Sequence, residues 1–282
     1  MRKDAAWWDA QYNNRAAVPE HPRILARWAH ESESARKKLR AWLDVPYGEH
    51  PMEKVDIFPA QGESRALLCF IHGGYWRSLD KGDFAFLAPE LVKRGVTVAM
   101  TNYALCPAVR VQDIVLQQLQ ACAWLWRNGR NFGAPRGNLY LAGHSAGGQL
   151  VAMMMSAIWP LFRPDLPSKV VSGGLSISGL YDLTELLNVP SINGDLHLDA
   201  AEARKASPLF YDPTTDAPLY LAVGGKELAP FIEQNRAFGT HWKKVLAADI
   251  ACPGDDHFTV LDRLAQPSSA LFKGALRMMA LA

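Results

Sequence analysis

The chain has 282 residues, a length that a single α/β domain with one extended core commonly reaches. Its 49% apolar and 21% charged residues are typical of a folded soluble protein and exclude a largely disordered chain. A formal net charge of +2 gives no general attraction to nucleic acid or to an anionic membrane. We therefore expect one domain over residues 1–282, with no nucleic acid and no membrane as partner.

Nothing in the sequence predicts export or membrane insertion. Residues 1–9 contain acidic and tryptophan side chains where a secretory signal would have an apolar core. The longest apolar stretch, residues 150–162, is broken by Pro160 and is shorter than the roughly 20 residues that span a bilayer. We expect a cytoplasmic protein. Its cysteines lack the paired spacing of metal sites and are expected as buried free thiols: Cys69, Cys106, Cys122 and Cys252.

Residues 1–50 precede the main predicted sheet and are rich in aromatic side chains. We expect helices here that serve either as scaffold on the sheet or as a lid over the site, and the pattern fits both. Beyond them, apolar runs alternate with amphipathic stretches of helical length, which predicts a mostly parallel sheet with helices on both faces. The predicted strands are 55–58, 66–71, 96–101, 138–143, 174–178, 219–223 and 245–250, and the main predicted helices are 84–93, 111–128, 146–158, 230–242 and 268–281.

Residues 181–216 interrupt this alternation. Three prolines and Gly194 predict an irregular segment. In α/β proteins the functional sites form at the carboxyl ends of the strands. We therefore expect residues 181–216 to be a cap loop over such a site.

The sequence Gly143-His-Ser-Ala-Gly-Gly148 connects a predicted strand to a predicted helix. In a Gly-x-Ser-x-Gly turn, Gly143 and Gly147 leave room for a strained backbone that lifts Ser145 above the sheet. The pattern alone also fits an ordinary glycine-rich turn. Its position after a strand and before a helix favours a nucleophile elbow.

His257 is the predicted general base among eight histidines. A serine hydroxyl needs a base within hydrogen-bond reach and a third group that orients the base. His257 lies in the turn-rich stretch 252–258 after the last predicted strand, from which it can reach Ser145; the alternative is a helix-capping role. The other histidines are expected in turns (His72 and His144) or in surface and packing positions (His21, His30, His50, His197 and His241).

Glu227 is the predicted third member of the site, because it follows the penultimate predicted strand. The order Ser145, Glu227, His257 is that of the α/β-hydrolase fold and differs from the chymotrypsin and subtilisin orders. An alternative role for Glu227 is a first-turn acid that complements the dipole of the helix near Pro230. Asp256 is a weaker rival, because adjacent side chains rarely face one another.

A glycine pair follows the second predicted strand, in the sequence His-Gly-Gly-Tyr-Trp. We expect the amides of Gly73 and Gly74, together with that of Ala146, to bind a tetrahedral oxyanion. A simple tight turn is the alternative reading. Tyr75 and Trp76 lie beside this motif and are predicted to be aromatic walls of the substrate pocket.

These motifs resemble those of the His-Gly-Gly branch of α/β hydrolases, which includes hormone-sensitive-lipase-like esterases and serine-dependent kynurenine formamidases. The resemblance extends from about Tyr47 to the end of the chain. Residues 72–76 are similar to the formamidase signature His-Gly-Gly-x-Trp, residues 103–107 to its Tyr-x-Leu-x-Pro stretch, and residues 223–227, with Phe231 and Gln234, to its acid loop. Glu227 stands where that group usually has aspartate.

The resemblance implies an α/β-hydrolase fold and a serine hydrolase that removes a small acyl group through an acyl-enzyme. An arylformamidase acting on N-formyl-L-kynurenine or a similar amide is the leading expectation, and a short-chain carboxylesterase is the alternative. A hydrolase-fold protein that binds a ligand without turnover is the third reading. No cofactor is expected, and no metal, since the sequence has no His-Glu-x-x-His motif. A homodimer is expected only from the frequency of such assemblies.

Overall fold

The centre of the structure, a computed structural model that describes residues 3–282, is an eight-stranded sheet. Its strands are β1 (Trp42–Pro46), β2 (Lys54–Phe58), β3 (Ala66–Ile71), β4 (Val96–Thr101), β5 (Leu139–His144), β6 (Gly173–Ile177), β7 (Leu219–Gly224) and β8 (Leu246–Cys252). They lie in the order β1-β2-β4-β3-β5-β6-β7-β8. β2 pairs antiparallel with β1 and β4, and all the later pairings are parallel. The predicted mostly parallel sheet is confirmed.

Twelve α-helices surround the sheet within residues 3–282. They are α1 (Ala5–Tyr12), α2 (Asn14–Ala17), α3 (His21–Lys38), α4 (Ala88–Lys93), α5 (Val111–Asn128), α6 (Ala146–Met155), α7 (Trp159–Phe162), α8 (Pro190–Leu196), α9 (Ala200–Lys205), α10 (Ala229–His241), α11 (Thr259–Asp262) and α12 (Ala270–Met278). Short 3-10 segments at 81–87, 129–132, 183–188, 208–210 and 263–265 connect some of them. None of the described helices is both long and apolar enough to cross a membrane.

The core forms two layers, one on each face of the sheet. In β3, Leu67, Cys69 and Ile71 pack into the layer that contains α5, α6 and α10. Leu68 and Phe70 pack into the opposite layer, with α4 and α12. Successive strand side chains point to opposite faces, so a strand that is apolar throughout requires helices on both sides. The four cysteines are buried and free, as predicted.

The largest difference from the sequence-based expectation is strand β1. Residues 1–50 were expected to be helical, and α1, α2 and α3 agree, but Trp42–Pro46 forms an edge strand. An edge strand is only half covered, and its last residue is a proline, so its local pattern is weak. Pairing with β2 fixes its structure. The segment 181–216, expected to be irregular, contains α8 and α9 and two of the 3-10 segments.

Candidate active site

The turn between β5 and α6 holds Ser145 in a strained conformation. Its φ of 57° and ψ of −119° lie where residues other than glycine rarely occur. A Cβ on Gly147 would lie 2.0 Å from the carbonyl oxygen of Ile71, and one on Gly143 would lie 2.3 Å from that of Gly147. No larger side chain fits at either position without moving backbone. These contacts explain why the predicted elbow needs both glycines.

Ser145, His257 and Glu227 form one chain of hydrogen bonds. His257 Nε2 lies 3.0 Å from Ser145 Oγ, and His257 Nδ1 lies 2.6 Å from Glu227 Oε2. All three residues are at most 8% exposed. The structure thus brings the three predicted residues together from the ends of β5, β7 and β8. This arrangement gives the serine a base within reach and gives the base an orienting carboxylate.

The second carboxylate oxygen of Glu227 is also fully engaged. Oε1 accepts a hydrogen bond from Ser178 Oγ at 2.5 Å and one from the amide of Gly224 at 2.7 Å. Ser178 follows β6 and has a φ of 52°, which turns its side chain toward the acid. Glu227 therefore has a fixed orientation. Ser178 was not among the predicted site residues, and its only sequence signal is a serine at the carboxyl end of a strand.

Asp256 and His144, which lie next to His257 and Ser145 in the chain, have other hydrogen-bond partners. Asp256 Oδ1 accepts hydrogen bonds from the amides of Phe258 and Thr259, both at 2.9 Å, so it caps the start of α11 and does not face His257. His144 Nε2 lies 2.8 Å from the carbonyl oxygen of His257. His144 thus holds the His257 loop against the elbow, consistent with its expected role in shaping a turn.

The loop after β3 lies directly against the elbow. A Cβ on Gly73 would lie 2.7 Å from the carbonyl oxygen of His144, and Gly74 has a φ of 107°. Ala146 is the first residue of α6, where helical amides have no partner within the helix. Within residues 3–282, the amides of Gly73, Gly74 and Ala146 donate to no protein acceptor. The geometry leaves all three predicted donors available.

His72 keeps this loop in place from below. Its Nδ1 lies 2.8 Å from the carbonyl oxygen of Gly73 and its Nε2 lies 3.1 Å from Asn102 Oδ1. Its ring stacks on Tyr103, with centroids 4.2 Å apart. Burial lowers the pKa of His72. It also lowers the pKa of His144 well below its usual value, and the neighbouring His257 adds to that effect. Burial therefore disfavours the charged form of both histidines.

The two aromatic residues of the loop point in different directions. Tyr75 lines the cavity beside Ser145, and its hydroxyl donates to the carbonyl oxygen of Tyr12 at 2.7 Å. Trp76 does not line this cavity, so its prediction as a pocket wall is wrong. Its indole is fully buried and donates to Gln149 Oε1 at 3.1 Å. A φ of 55° at Trp76 follows one of 50° at Tyr75, and this turn directs the indole into the core.

A cavity of about 640 Å³ opens in front of Ser145, a volume in the usual range for small-molecule sites. Residues 12–16 and parts of α3 form one wall, and α8 from the segment 181–216 forms another. Arg77 connects the loop after β3 to α8, through Asp195 Oδ2 at 2.6 Å and the carbonyl oxygen of Ser191 at 2.6 Å. Both segments that were predicted as possible covers, residues 1–50 and residues 181–216, therefore border the site.

The aromatic groups on the cavity wall are Tyr12, Trp28, Tyr75 and Phe258. They suit a substrate with a flat apolar part. Among the described residues, no three His, Cys, Asp or Glu side chains converge in a way that could hold a metal ion.

Comparisons with known proteins agree with this fold. Residues 68–248 match a family described as alpha/beta hydrolase fold. Kynurenine formamidase from Drosophila melanogaster is 30% identical over 267 residues, covering 89% of this chain and 85% of its own. Esterase LipC from Mycobacterium tuberculosis is 26% identical, covering 77% and 60%. A crystal structure of a candidate thioesterase from Silicibacter sp. superposes with a TM-score of 0.84 at 34% identity, covering 97% of this chain and 98% of the other.

Proposed function

Since the chain belongs to the alpha/beta hydrolase fold family, we propose that it cleaves a small acyl group from an arylamide such as N-formyl-L-kynurenine, with Ser145 as nucleophile. It is a hydrolase whose relatives include formamidases and esterases. The observation that carries the proposal is the hydrogen-bonded chain Ser145, His257 and Glu227 beneath the cavity. The similarity to the Drosophila formamidase over most of both chains favours a formamide over an ester.

The first half-reaction follows from the positions of these atoms. Ser145 Oγ attacks the formyl carbon while its proton moves to His257 Nε2, which lies 3.0 Å away. Negative charge develops on the carbonyl oxygen, and the amides of Gly73, Gly74 and Ala146 are placed to stabilise it. Collapse of the tetrahedral species breaks the C–N bond. The arylamine leaves with the proton from His257, and a formyl ester remains on Ser145.

Water completes the cycle. It attacks the formyl ester while His257 Nε2 takes its proton, and the second tetrahedral species expels Ser145 Oγ, which recovers that proton. Formate is released. Throughout the cycle Glu227 accepts from His257 Nδ1–H, which keeps Nε2 free to accept a proton and stabilises the imidazolium.

The test is the ratio of kcat/KM for N-formyl-L-kynurenine to that for p-nitrophenyl acetate, with Ser145→Ala as the matched variant. We expect a preference for the formamide and a fall in kcat of about 10,000-fold or more in Ser145→Ala, as loss of a triad nucleophile usually produces. Formamide turnover that survives in Ser145→Ala would overturn the mechanism.

A short-chain carboxylesterase is the second candidate. Its support is the esterase among the relatives and the fact that an arrangement of this kind cleaves esters as well as amides. Rapid cleavage of p-nitrophenyl acetate with no formamide turnover would favour it, with the roles of Ser145, His257 and Glu227 unchanged.

A further inference from the structure

The stretch that follows β4, residues 102–107, contacts the loop after β3 that carries the glycine pair. It includes the Tyr-x-Leu-x-Pro sequence of residues 103–107, which has no role in the proposed reaction. None of the described residues that line the cavity belongs to this stretch. Tyr103 is fully buried, and its ring stacks on that of His72. An effect of this stretch on catalysis must therefore act through the loop that it contacts.

The stretch after β4 holds the loop by its backbone carbonyl groups. The Tyr103 hydroxyl donates to the carbonyl oxygen of His72 at 2.9 Å, and the carbonyl oxygen of Gly73 lies 3.5 Å from the same hydroxyl. The amide of Cys106 donates to the carbonyl oxygen of Trp76 at 2.8 Å. The loop is thus attached to this stretch at both of its ends.

A hydrogen bond to a carbonyl also fixes the direction of an amide, because the peptide unit is planar and trans. The C=O group of one residue and the N–H group of the next lie in one plane and point in opposite directions. The carbonyl of His72 shares its plane with the amide of Gly73, which is one of the predicted oxyanion donors. The hydrogen bond that holds this carbonyl toward Tyr103 therefore turns the Gly73 amide to the opposite side.

The Gly73 amide is well placed for a substrate oxygen. A Cβ on Gly73 would lie 3.1 Å from the Cβ of Ser145, and the amide donates to no acceptor among residues 3–282. Donors of an oxyanion hole must point at the developing charge, because hydrogen bonds weaken steeply as their angle falls. The next peptide unit is held in the same way. His72 Nδ1–H donates to the carbonyl oxygen of Gly73 at 2.8 Å and so directs the amide of Gly74.

We propose that Tyr103 is a positioning residue for the oxyanion hole. By holding the carbonyl of His72, its hydroxyl directs the Gly73 amide toward the oxygen that becomes negative in the transition state. This inference rests on the proposed function in that Ser145 attacks a carbonyl carbon, and it applies equally to an ester and to a formamide. Tyr103 touches neither the substrate nor the reacting atoms. Loss of its hydroxyl should therefore weaken binding of the transition state and leave binding of the ground state unchanged.

The test compares Tyr103→Phe with Tyr47→Phe in the hydrolysis of p-nitrophenyl acetate. Tyr47 is the matched control, because its buried hydroxyl also donates to a carbonyl of the stretch after β4, that of Asn102 at 2.5 Å, but not to the loop. We expect kcat/KM to fall by about 10- to 100-fold in Tyr103→Phe. This is less than the loss of about 100- to 1000-fold when an oxyanion donor is removed, because the amide is misdirected and not deleted. In Tyr47→Phe, kcat/KM should stay within about 2-fold.

Two inhibitors of this reaction separate binding of the transition state from binding of the ground state. Trifluoroacetophenone forms a tetrahedral adduct, in which Ser145 Oγ bonds to the carbonyl carbon, the carbonyl oxygen becomes negative and the serine proton moves to His257 Nε2. Acetophenone binds without forming this adduct. In Tyr103→Phe the inhibition constant of trifluoroacetophenone should rise by about 10- to 100-fold, and that of acetophenone should stay within about 2-fold. Tyr103→p-aminophenylalanine keeps an N–H donor at the position of the hydroxyl and should recover part of both losses.

The urea midpoint shows whether each variant is folded, and it should fall by similar amounts in Tyr103→Phe and Tyr47→Phe, because each loses one hydrogen bond of a buried hydroxyl. Unchanged kcat/KM in folded Tyr103→Phe, equal losses in the two variants, or equal weakening of both ketones overturns the inference. If Tyr103→Phe does not fold, the p-aminophenylalanine variant decides, because its weaker donor should reduce the affinity for trifluoroacetophenone alone. The expected pattern in an enzyme that cleaves the ester but not N-formyl-L-kynurenine supports the inference and rejects the formamide as substrate.

Discussion

Replacing Glu227 with glutamine tests whether the fixed orientation of the acid controls the proton on His257. Glu227 Oε1 accepts from the amide of Gly224, which can only donate. The glutamine oxygen must therefore occupy that position, and its NH₂ group must face His257 Nδ1. Two donors cannot share a hydrogen bond, so Nδ1 becomes the acceptor and the ring proton moves to Nε2. The base can then no longer accept the proton of Ser145.

The expected loss is large because the wrong tautomer blocks the first proton transfer. Such a swap of a triad carboxylate for an amide lowers kcat by about 10,000-fold, which corresponds to about 5.4 kcal/mol of activation free energy. The geometry supports a loss of this size, because both oxygens of Glu227 are engaged and the side chain cannot turn away from His257. The assay is kcat for p-nitrophenyl acetate and for N-formyl-L-kynurenine, measured on protein whose urea midpoint shows that it is folded.

Two control variants isolate the tautomer effect. Glu233→Gln makes the same chemical change at an exposed position of α10 and should leave kcat unchanged. Ser178→Ala removes one of the two donors to Glu227 Oε1 and keeps the correct tautomer, so we expect a loss of about 10-fold or less. Folded Glu227→Gln that retains more than a tenth of wild-type kcat would refute the reasoning.

Two other predictions concern stability. Gly147→Ala places a methyl group 2.0 Å from the carbonyl oxygen of Ile71 and should lower the free energy of unfolding by more than about 2 kcal/mol. Gly194→Ala, with nothing within 4 Å of the added methyl group, should not lower it. Equal urea midpoints for the two variants would contradict this prediction. Because burial lowers the pKa of His72 and His144, the unfolded chain takes up protons below about pH 6.5 that the folded chain does not. Stability should therefore fall below that pH, by up to about 1.4 kcal/mol per pH unit and histidine, and urea midpoints between pH 8 and pH 5 should fall less steeply in His144→Gln. A midpoint that rises as the pH falls through this range would contradict the assignment.

The position of the candidate triad could be predicted from the sequence because each member follows an apolar strand. Parallel strands bring their carboxyl ends to one edge of the sheet, so Ser145, Glu227 and His257 meet there even though they are far apart in the chain. The order of the three residues along the chain then favoured the α/β-hydrolase fold over the chymotrypsin and subtilisin folds. Most of the strands and helices could also be predicted, because buried parallel strands and amphipathic helices carry strong local patterns.

Features that depend on tertiary contacts were either missed or wrongly predicted from the sequence. Trp76 was expected to line the pocket because it neighbours the glycine pair, but side-chain direction depends on backbone angles that the motif does not reveal. Ser178 lies in an unremarkable stretch of sequence. Ser178 gains its role only when β6 and β7 pair. Edge strand β1 was missed because its pairing with β2, and not its own pattern, fixes it.

Tyr12 bears on whether the N-terminal segment is a lid or a scaffold. Its side chain is fully buried, its hydroxyl donates to Glu185, and its carbonyl oxygen accepts from Tyr75. Gln234 Nε2 donates to the same hydroxyl at 3.2 Å, and Gln234 Oε1 accepts from the amide of Tyr181 at 2.7 Å. Lifting the segment would break these hydrogen bonds and expose a buried tyrosine. The contacts therefore favour the scaffold reading, in which the loop after β3, the 181–216 segment and α10 hold the N-terminal wall of the cavity in place.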